Sequence, residues 1–188
     1  MSVPQQPKPA KLVVGLIMKR KSFLSEVAGD LIRQFGPLDL VSRWLAFDFT
    51  AYYEPELGSP LFRRMLAFHA PIEQKNLAEI KLTTNAIEKT HSSGGKRQVN
   101  IDPGYLTYER FVLATGKNYA HRIYLDKGIY ADLTLMFRKG GYEALPWTYP
   151  DYAHHQIISF LERVRSKYAF DIRRKGVTPD ESIEKEPS

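Results

Sequence analysis

KLVVGLIMK, residues 11–19, is the stretch on which the fold turns. Leu12, Val13, Val14, Leu16, Ile17 and Met18 run almost unbroken and leave no polar face, as expected of a central strand buried on both sides. Downstream, Leu24, Val27, Ala28, Leu31 and Phe35 recur every three or four residues, and Gly36-Pro37 supplies a stop, which predicts a helix from Ser22. Leu40 to Phe49 returns to strand alternation with Trp44, Ala46 and Asp48 on one face, so Asp48 is expected at the end of a sheet face. Pro55, Gly58 and Pro60 break the chain before a third strand over Phe62 to His69.

Pro71 stands where a second helix can begin, and Leu77, Ile80, Thr84 and Ile87 mark its buried face as far as Lys89, before Gly94-Gly95. Arg97 to Ile101 reads as a short fourth strand closed by Asp102-Pro103-Gly104, a tripeptide suited to a type II turn. The order β-α-β-β-α-β is that of ferredoxin-like domains. Beyond it, Thr107 can cap a short helix through Thr115. Ala120 to Leu125 and Ile129 to Phe137 form a hairpin around Asp126-Lys127-Gly128, and a further short strand runs to Leu145. In the second hairpin strand Ile129, Ala131, Leu133, Leu135 and Phe137 are expected on the core face and Asp132 on a semi-polar one. A last helix starts near Asp151, with Ile157, Leu161, Val164, Tyr168 and Ile172 as its stripe. The expected fold is therefore α+β: a ferredoxin-like βαββαβ unit extended by a β-hairpin and a C-terminal helix. It forms one domain over residues 11–175, between a disordered proline-rich lead (1–10) and a disordered acidic tail (176–188).

Composition bounds the chemistry. The chain has 188 residues and no cysteine, which excludes a disulfide framework, a thiolate zinc site and a thiol nucleophile. That absence fits a reducing compartment, so the cytoplasm is the expected location. The longest apolar run is too short to span a bilayer and lacks a signal-peptide layout, so no membrane association is expected. The formal charge of +6 is concentrated at the ends, and residues 22–172 carry a net charge of only +1. A general nucleic-acid binder needs several phosphate-neutralising groups on one surface, and this distribution argues against one.

Four segments near loops concentrate aromatic and titratable groups: FDFTAYYEPEL (47–57), NIDPGYLTYER (100–110), KNYAHRIY (117–124) and PWTYPDY (146–152). Their convergence would form a pocket for a small polar, anionic ligand, with Asp48, Tyr52, Asn100, Asp102, Tyr105, Lys117, His121 and Arg122 around it. Lys117 and Arg122 would clamp the anion, Asn100 and the tyrosines would donate hydrogen bonds, and Asp48 and Asp102 would accept ligand hydroxyls. The competing account is ordinary turn chemistry: Asp102 starting a turn, Asp151 capping a helix, and tyrosines covering sheet edges.

VNIDPGYLT, KNYAHRIYLDKGIYADLTL and LPWTYPDY, with the opening PKPAKLVVGLI and FDFTAYYEPELG, resemble an uncharacterised bacterial family of conserved hypothetical proteins. The resemblance spans Pro7 to about Arg174 and implies kinship without a known activity or cofactor. Some members carry an automatic GTP-binding label, yet the phosphate loop G-x-x-x-x-G-K-[ST] is missing. Around Gly94-Gly95-Lys96-Arg97, Thr90 replaces the first glycine and Arg97 the hydroxyl residue. Around Thr115-Gly116-Lys117-Asn118, Phe111 replaces the first glycine. A nucleotide would have to bind in another way.

Three further features carry less. His121 beside Lys117 and Arg122 could act as a base at neutral pH, although its strand phase, shared with Ile123 and Leu125, suits a hydrogen-bonded histidine at the sheet margin. Asp151 and His155 stand four residues apart, but two ligands do not make a metal site, so none is assigned. Glu54 and Glu56 diverge across Pro55 and receive no role. Two alternatives to a ligand pocket remain: an interaction or oligomerisation module using Tyr124, Tyr130 and Met136, and an RNA platform bearing Arg63, Arg64 and Lys81, which lacks the RNP1 pattern.

Overall fold

The computed structural model describes residues 1–174. Its elements are β1 (Ala10–Met18), α1 (Leu24–Phe35), β2 (Leu38–Val41), β3 (Leu45–Ala46), α2 (Glu54–Leu57), β4 (Phe62–Ile72), α3 (Leu77–Thr90), β5 (Ser92–Ser93), β6 (Lys96–Arg97), β7 (Val99–Leu106), β8 (Arg110–Thr115), β9 (Arg122–Asp126), β10 (Ile129–Arg138), β11 (Gly141–Ala144) and α4 (His155–Arg174). The expected tail 176–188 lies outside the described residues. Residues 1–9 hold no helix or strand.

The fold is mixed α+β, built on one large antiparallel sheet ordered β11-β10-β8-β7-β1-β4-β2, with β3 on β4 and β9 on β10. β1 lies between β4 and β7, antiparallel to both. Every residue of β1 is buried, as a strand without a polar face requires. Leu12, Val14, Leu16 and Met18 pack with Val27 and Leu31 of α1 and Ile80 and Ile87 of α3. Val13 belongs to the opposite core, where Ile157, Phe160, Leu161, Val164 and Tyr168 of α4 meet Met65, Phe111 and Leu135. Helices thus cover both faces of the central strands, and each fully buried aliphatic or aromatic side chain there contributes roughly 1.5–3 kcal/mol.

Several local expectations are corrected. Pro71 does not start a helix: it is paired with Lys11 inside β4, and α3 begins only at Leu77. Asp102-Pro103-Gly104 is not a turn. It runs through the middle of β7, opposite Gly15, Val14 and Val13, because the apolar residues around it must reach the full length of β1. Thr107 to Thr115 is not a helix. Thr107 N–H bonds to the Arg110 carbonyl oxygen at 3.0 Å in a tight turn, and Arg110–Thr115 form β8. The 126–128 hairpin is present, with positive φ at both Lys127 and Gly128. Asp132 and Thr134 are buried rather than semi-exposed, and a register shift between Leu133 and Leu135 breaks the alternation of β10, leaving Thr134 and Leu135 buried in succession. Asp151 precedes α4 instead of standing on it with His155.

One irregularity creates the site. β7 and β8 pair only at Gly104–Leu113, Tyr105–Val112 and Leu106–Phe111, and then part. Pro103, which offers no N–H to a neighbour, stands where they separate. The backbone of Ile101, left without β8, is satisfied from α3: Lys81 Nζ donates to its carbonyl oxygen at 2.8 Å, and a Glu88 carboxylate oxygen accepts its N–H.

Candidate functional site

The gap between the parted strands opens into a cleft of about 650 Å³. Asn100 and Asp102 of β7 form one wall, and Leu113 to Lys117, at and beyond the end of β8, form the other. Lys81, Asn85 and Glu88 of α3, Arg63 of β4, the 47–53 loop and the 149–152 segment, with Arg97, Tyr119 and Asp132, complete the lining.

Charged groups fill its lower part. Arg63 has a side chain only 2% exposed, sits beneath the Tyr152 ring with 4.2 Å from guanidinium carbon to ring centre, and is paired through Nη1 with Asp151. Its Nη2 lies 3.8 Å from Asp102. Burial works against the Arg63 charge, and Tyr152, Asp151 and Asp102 more than compensate, so it stays protonated. Burial pushes the Asp151 carboxyl above the usual carboxylate range, against the pull of Arg63. Burial likewise raises the Tyr53 phenol, with Asp102 adding to the effect.

A second arginine closes the neighbouring side. Arg97 grips Glu56 through Nε and Nη2, each at 2.7 Å, and reaches Glu88 at 2.8 Å and Asn100 Oδ1 at 3.1 Å through Nη1. Asn100 Nδ2 in turn donates to Asp102 at 2.7 Å. At the mouth, Lys117 Nζ donates to the Tyr52 hydroxyl at 2.9 Å, joining the 47–53 loop to the segment after β8. Lys117 has no carboxylate partner among the described residues.

Of the eight residues expected to surround a ligand, the structure brings Tyr52, Asn100, Asp102 and Lys117 to the cleft. The other four lie elsewhere. Asp48 is exposed outside the lining, and Tyr105 packs with the Leu77, Ala78 and Val112 cluster. His121 stacks on Trp147 at 5.1 Å, its Nε2 lying 3.5 Å from Asp132. Arg122 lies beneath the rim, committed to Asp132 Oδ2 at 2.8 Å, the Lys117 carbonyl oxygen at 2.9 Å and the Tyr149 hydroxyl at 2.8 Å. It shapes the loop that carries Lys117 instead of facing the cleft.

The sequence does not lead to the inner charges of the cleft: it offers Arg63 and Lys81 for an RNA platform and Asp151 as a helix cap, and does not single out Glu88. A signal existed: Lys81 and Glu88 share the helical stripe of Leu77 and Thr84, where a buried helix face should be apolar. Glu56, given no role, proves to be the partner of Arg97. No group of three or more His, Cys, Asp or Glu side chains that could hold a metal ion occurs among the described residues, and no helix among them is long and apolar enough to cross a membrane. An RNA platform on β1 and its neighbours would need an open sheet face, whereas both faces of β1 are buried.

Fold and cleft together define a mixed α+β domain with a polar cavity opened by strand separation. The chain belongs to the family described as a domain of unknown function, DUF4416, whose model matches residues 8–168. Searches of curated proteins and of solved structures return no match.

Proposed function

We propose that this protein is a small-molecule-binding domain whose cleft takes a polar ligand bearing an anionic group, and that its β1–α1–β2–β4–α3–β7 half is a ferredoxin-like unit. The strand order β7-β1-β4-β2, antiparallel throughout, supports the second part. The observation that carries the first is the parting of β7 and β8: it exposes a concave space in which buried charged side chains and half-exposed tyrosines converge, the composition of a ligand pocket. Lys117 at the mouth is placed to attract an anion, and Asn100 and Asp102 to hold its neutral polar part. A nucleotide fits only without a phosphate loop.

The test is a thermal-shift panel of nucleotides, sugar phosphates and carboxylates, repeated on Thr115→Trp, which plugs the wall. A ligand at 100 times its Kd stabilises by about 2.7 kcal/mol. Stabilisation of the wild type that is lost in the plugged variant supports the reading, and stabilisation indifferent to the plug contradicts it. The interaction-module reading draws on β9, an edge strand with Ile123 71% and Tyr124 57% exposed. Concentration-dependent mass with no ligand hit would favour it.

A further inference from the structure

Two arginines border the same cleft, and they differ in one respect. Arg97 has its Nε/Nη2 edge filled by both oxygens of Glu56. In Arg63 the same edge makes no hydrogen bond: Nε and Nη2 are buried and donate none, Nη2 only facing Asp102 at 3.8 Å, while Nη1 is engaged by Asp151. The hydroxyl of Tyr152 is also buried without a partner. It sits beside Arg63 Nη2, since a single point above Gly15 lies 2.6 Å from that nitrogen and 2.8 Å from the hydroxyl oxygen. Unpaired buried donors are costly, and an arginine with two of them on one edge is a fork shaped for a planar oxyanion.

We propose, resting on the reading of the cleft given above, that Arg63 is the anchor for a ligand carboxylate, bound side-on by Nε and Nη2 with Tyr152 as a further donor, and that the ligand class is a monocarboxylate with an apolar or aromatic body. Charge selects the carboxylate. Asp151 already pairs with Arg63, and Asp102 lies 3.8 Å from its Nη2 and 3.9 Å from Lys81, so the inner cleft is nearly balanced and a dianionic phosphate meets more repulsion than a single negative charge. The body follows from the surroundings: the Phe47 ring centre lies 5.8 Å from the guanidinium carbon, and Phe49, Tyr53 and Leu113 line the space beyond.

The test titrates wild type, Arg63→Lys and Tyr152→Phe with benzoate, phenylacetate and phenyl phosphate, by thermal shift and calorimetry. The carboxylates are expected to bind the wild type more tightly than phenyl phosphate. Arg63→Lys keeps the charge but lacks the fork, and should weaken the carboxylates by about tenfold or more, the loss of a charge-assisted hydrogen bond. Tyr152→Phe removes only the added donor and should weaken them by about threefold to tenfold. If Arg63→Lys does not fold, Tyr152→Phe decides, and unchanged carboxylate affinity in it overturns the assignment. So does failure of both carboxylates to bind, or equal binding in Arg63→Lys. Phenyl phosphate that binds the wild type and is lost in Lys117→Ala, with no carboxylate binding, overturns the fork while leaving the cleft as an anion site.

Discussion

Glu88 takes the place of a neighbouring strand for Ile101: its carboxylate accepts the backbone N–H that β8 would have bonded had the two strands stayed together. The same carboxylate also receives Arg97 at 2.8 Å. One side chain therefore both satisfies the strand edge that β8 leaves and ties it to Arg97 at the cleft.

Substitution at this position should separate the two roles. Glu88→Gln keeps an oxygen for the Ile101 N–H and should cost about 1 kcal/mol, whereas Glu88→Leu leaves that buried N–H without its acceptor and removes one of the two carboxylates on Arg97, and should cost about 3 kcal/mol or more. Urea denaturation midpoints measure the difference. Equal costs would mean that the Ile101 contact does not matter.

Two carboxylates should give opposite pH slopes. Burial raises the Glu88 pKa above 4.5, although Lys81, the Ile101 N–H and Arg97 oppose it. The folded state then binds more protons than the unfolded one, so Glu88 lowers stability as pH rises from about 4.5 through its folded value. Asp39 is the reverse. Burial acts to raise it, but the hydrogen bond and charge of the buried Lys11, with Lys167 and His69, bring it below 3.8. Its stabilisation is present above that value and is lost as pH falls through the lower folded value. Stability curves of Glu88→Gln and Asp39→Asn relative to wild type should diverge in these two windows, and parallel curves would refute the assignment.

Much of the architecture was legible in the sequence because single elements have unambiguous patterns: the unbroken apolar run of β1, the periodicity and Gly36-Pro37 stop of α1, and the Asp126-Lys127-Gly128 hairpin. What misled was local chemistry overridden by pairing. Asp102-Pro103-Gly104 has every turn preference, yet β1 offers a full-length partner and holds it extended. At the cleft, Tyr52 and Lys117 stand in polar loops, and Asn100 and Asp102, although inside β7, belong to a polar stretch of sequence, so all four were visible. Arg63, Lys81 and Glu88 lie inside a strand and a helix on buried positions, where the sequence pattern favours apolar residues, and their place beside the parting of β7 from β8 appears only in three dimensions.

Glycine substitutions should distinguish sheet from cleft. A Cβ at Gly104, on the last paired rung, would lie 2.5 Å from the Val112 carbonyl oxygen, a backbone atom of the facing strand. Gly104→Ala is expected to cost about 2–3 kcal/mol. At Gly15 the obstacles are the ends of the Arg63 and Tyr152 side chains, so Gly15→Ala should cost less, about 1–2 kcal/mol, while altering ligand affinity. Unfolding and binding curves on both variants check the contrast, and a larger stability loss for Gly15→Ala would contradict it.

Asp132 and Arg122 have side chains 3% and 2% exposed and form a buried pair beneath the Lys117 loop. Asp132→Ala strands a buried guanidinium and should cost about 3–5 kcal/mol. Amide hydrogen exchange across residues 116–121 should accelerate, because Arg122 also holds the Lys117 carbonyl oxygen. Unchanged exchange there would show that the pair does not order the rim.

The most direct test is an amide chemical-shift map recorded with whichever panel ligand stabilises the protein most. Perturbations should cluster in residues 47–53, 100–102, 113–117 and 149–152, the segments that line the space between β7 and β8. Perturbations centred on β9 or α4, with these four segments unmoved, would contradict the cleft as the site of binding.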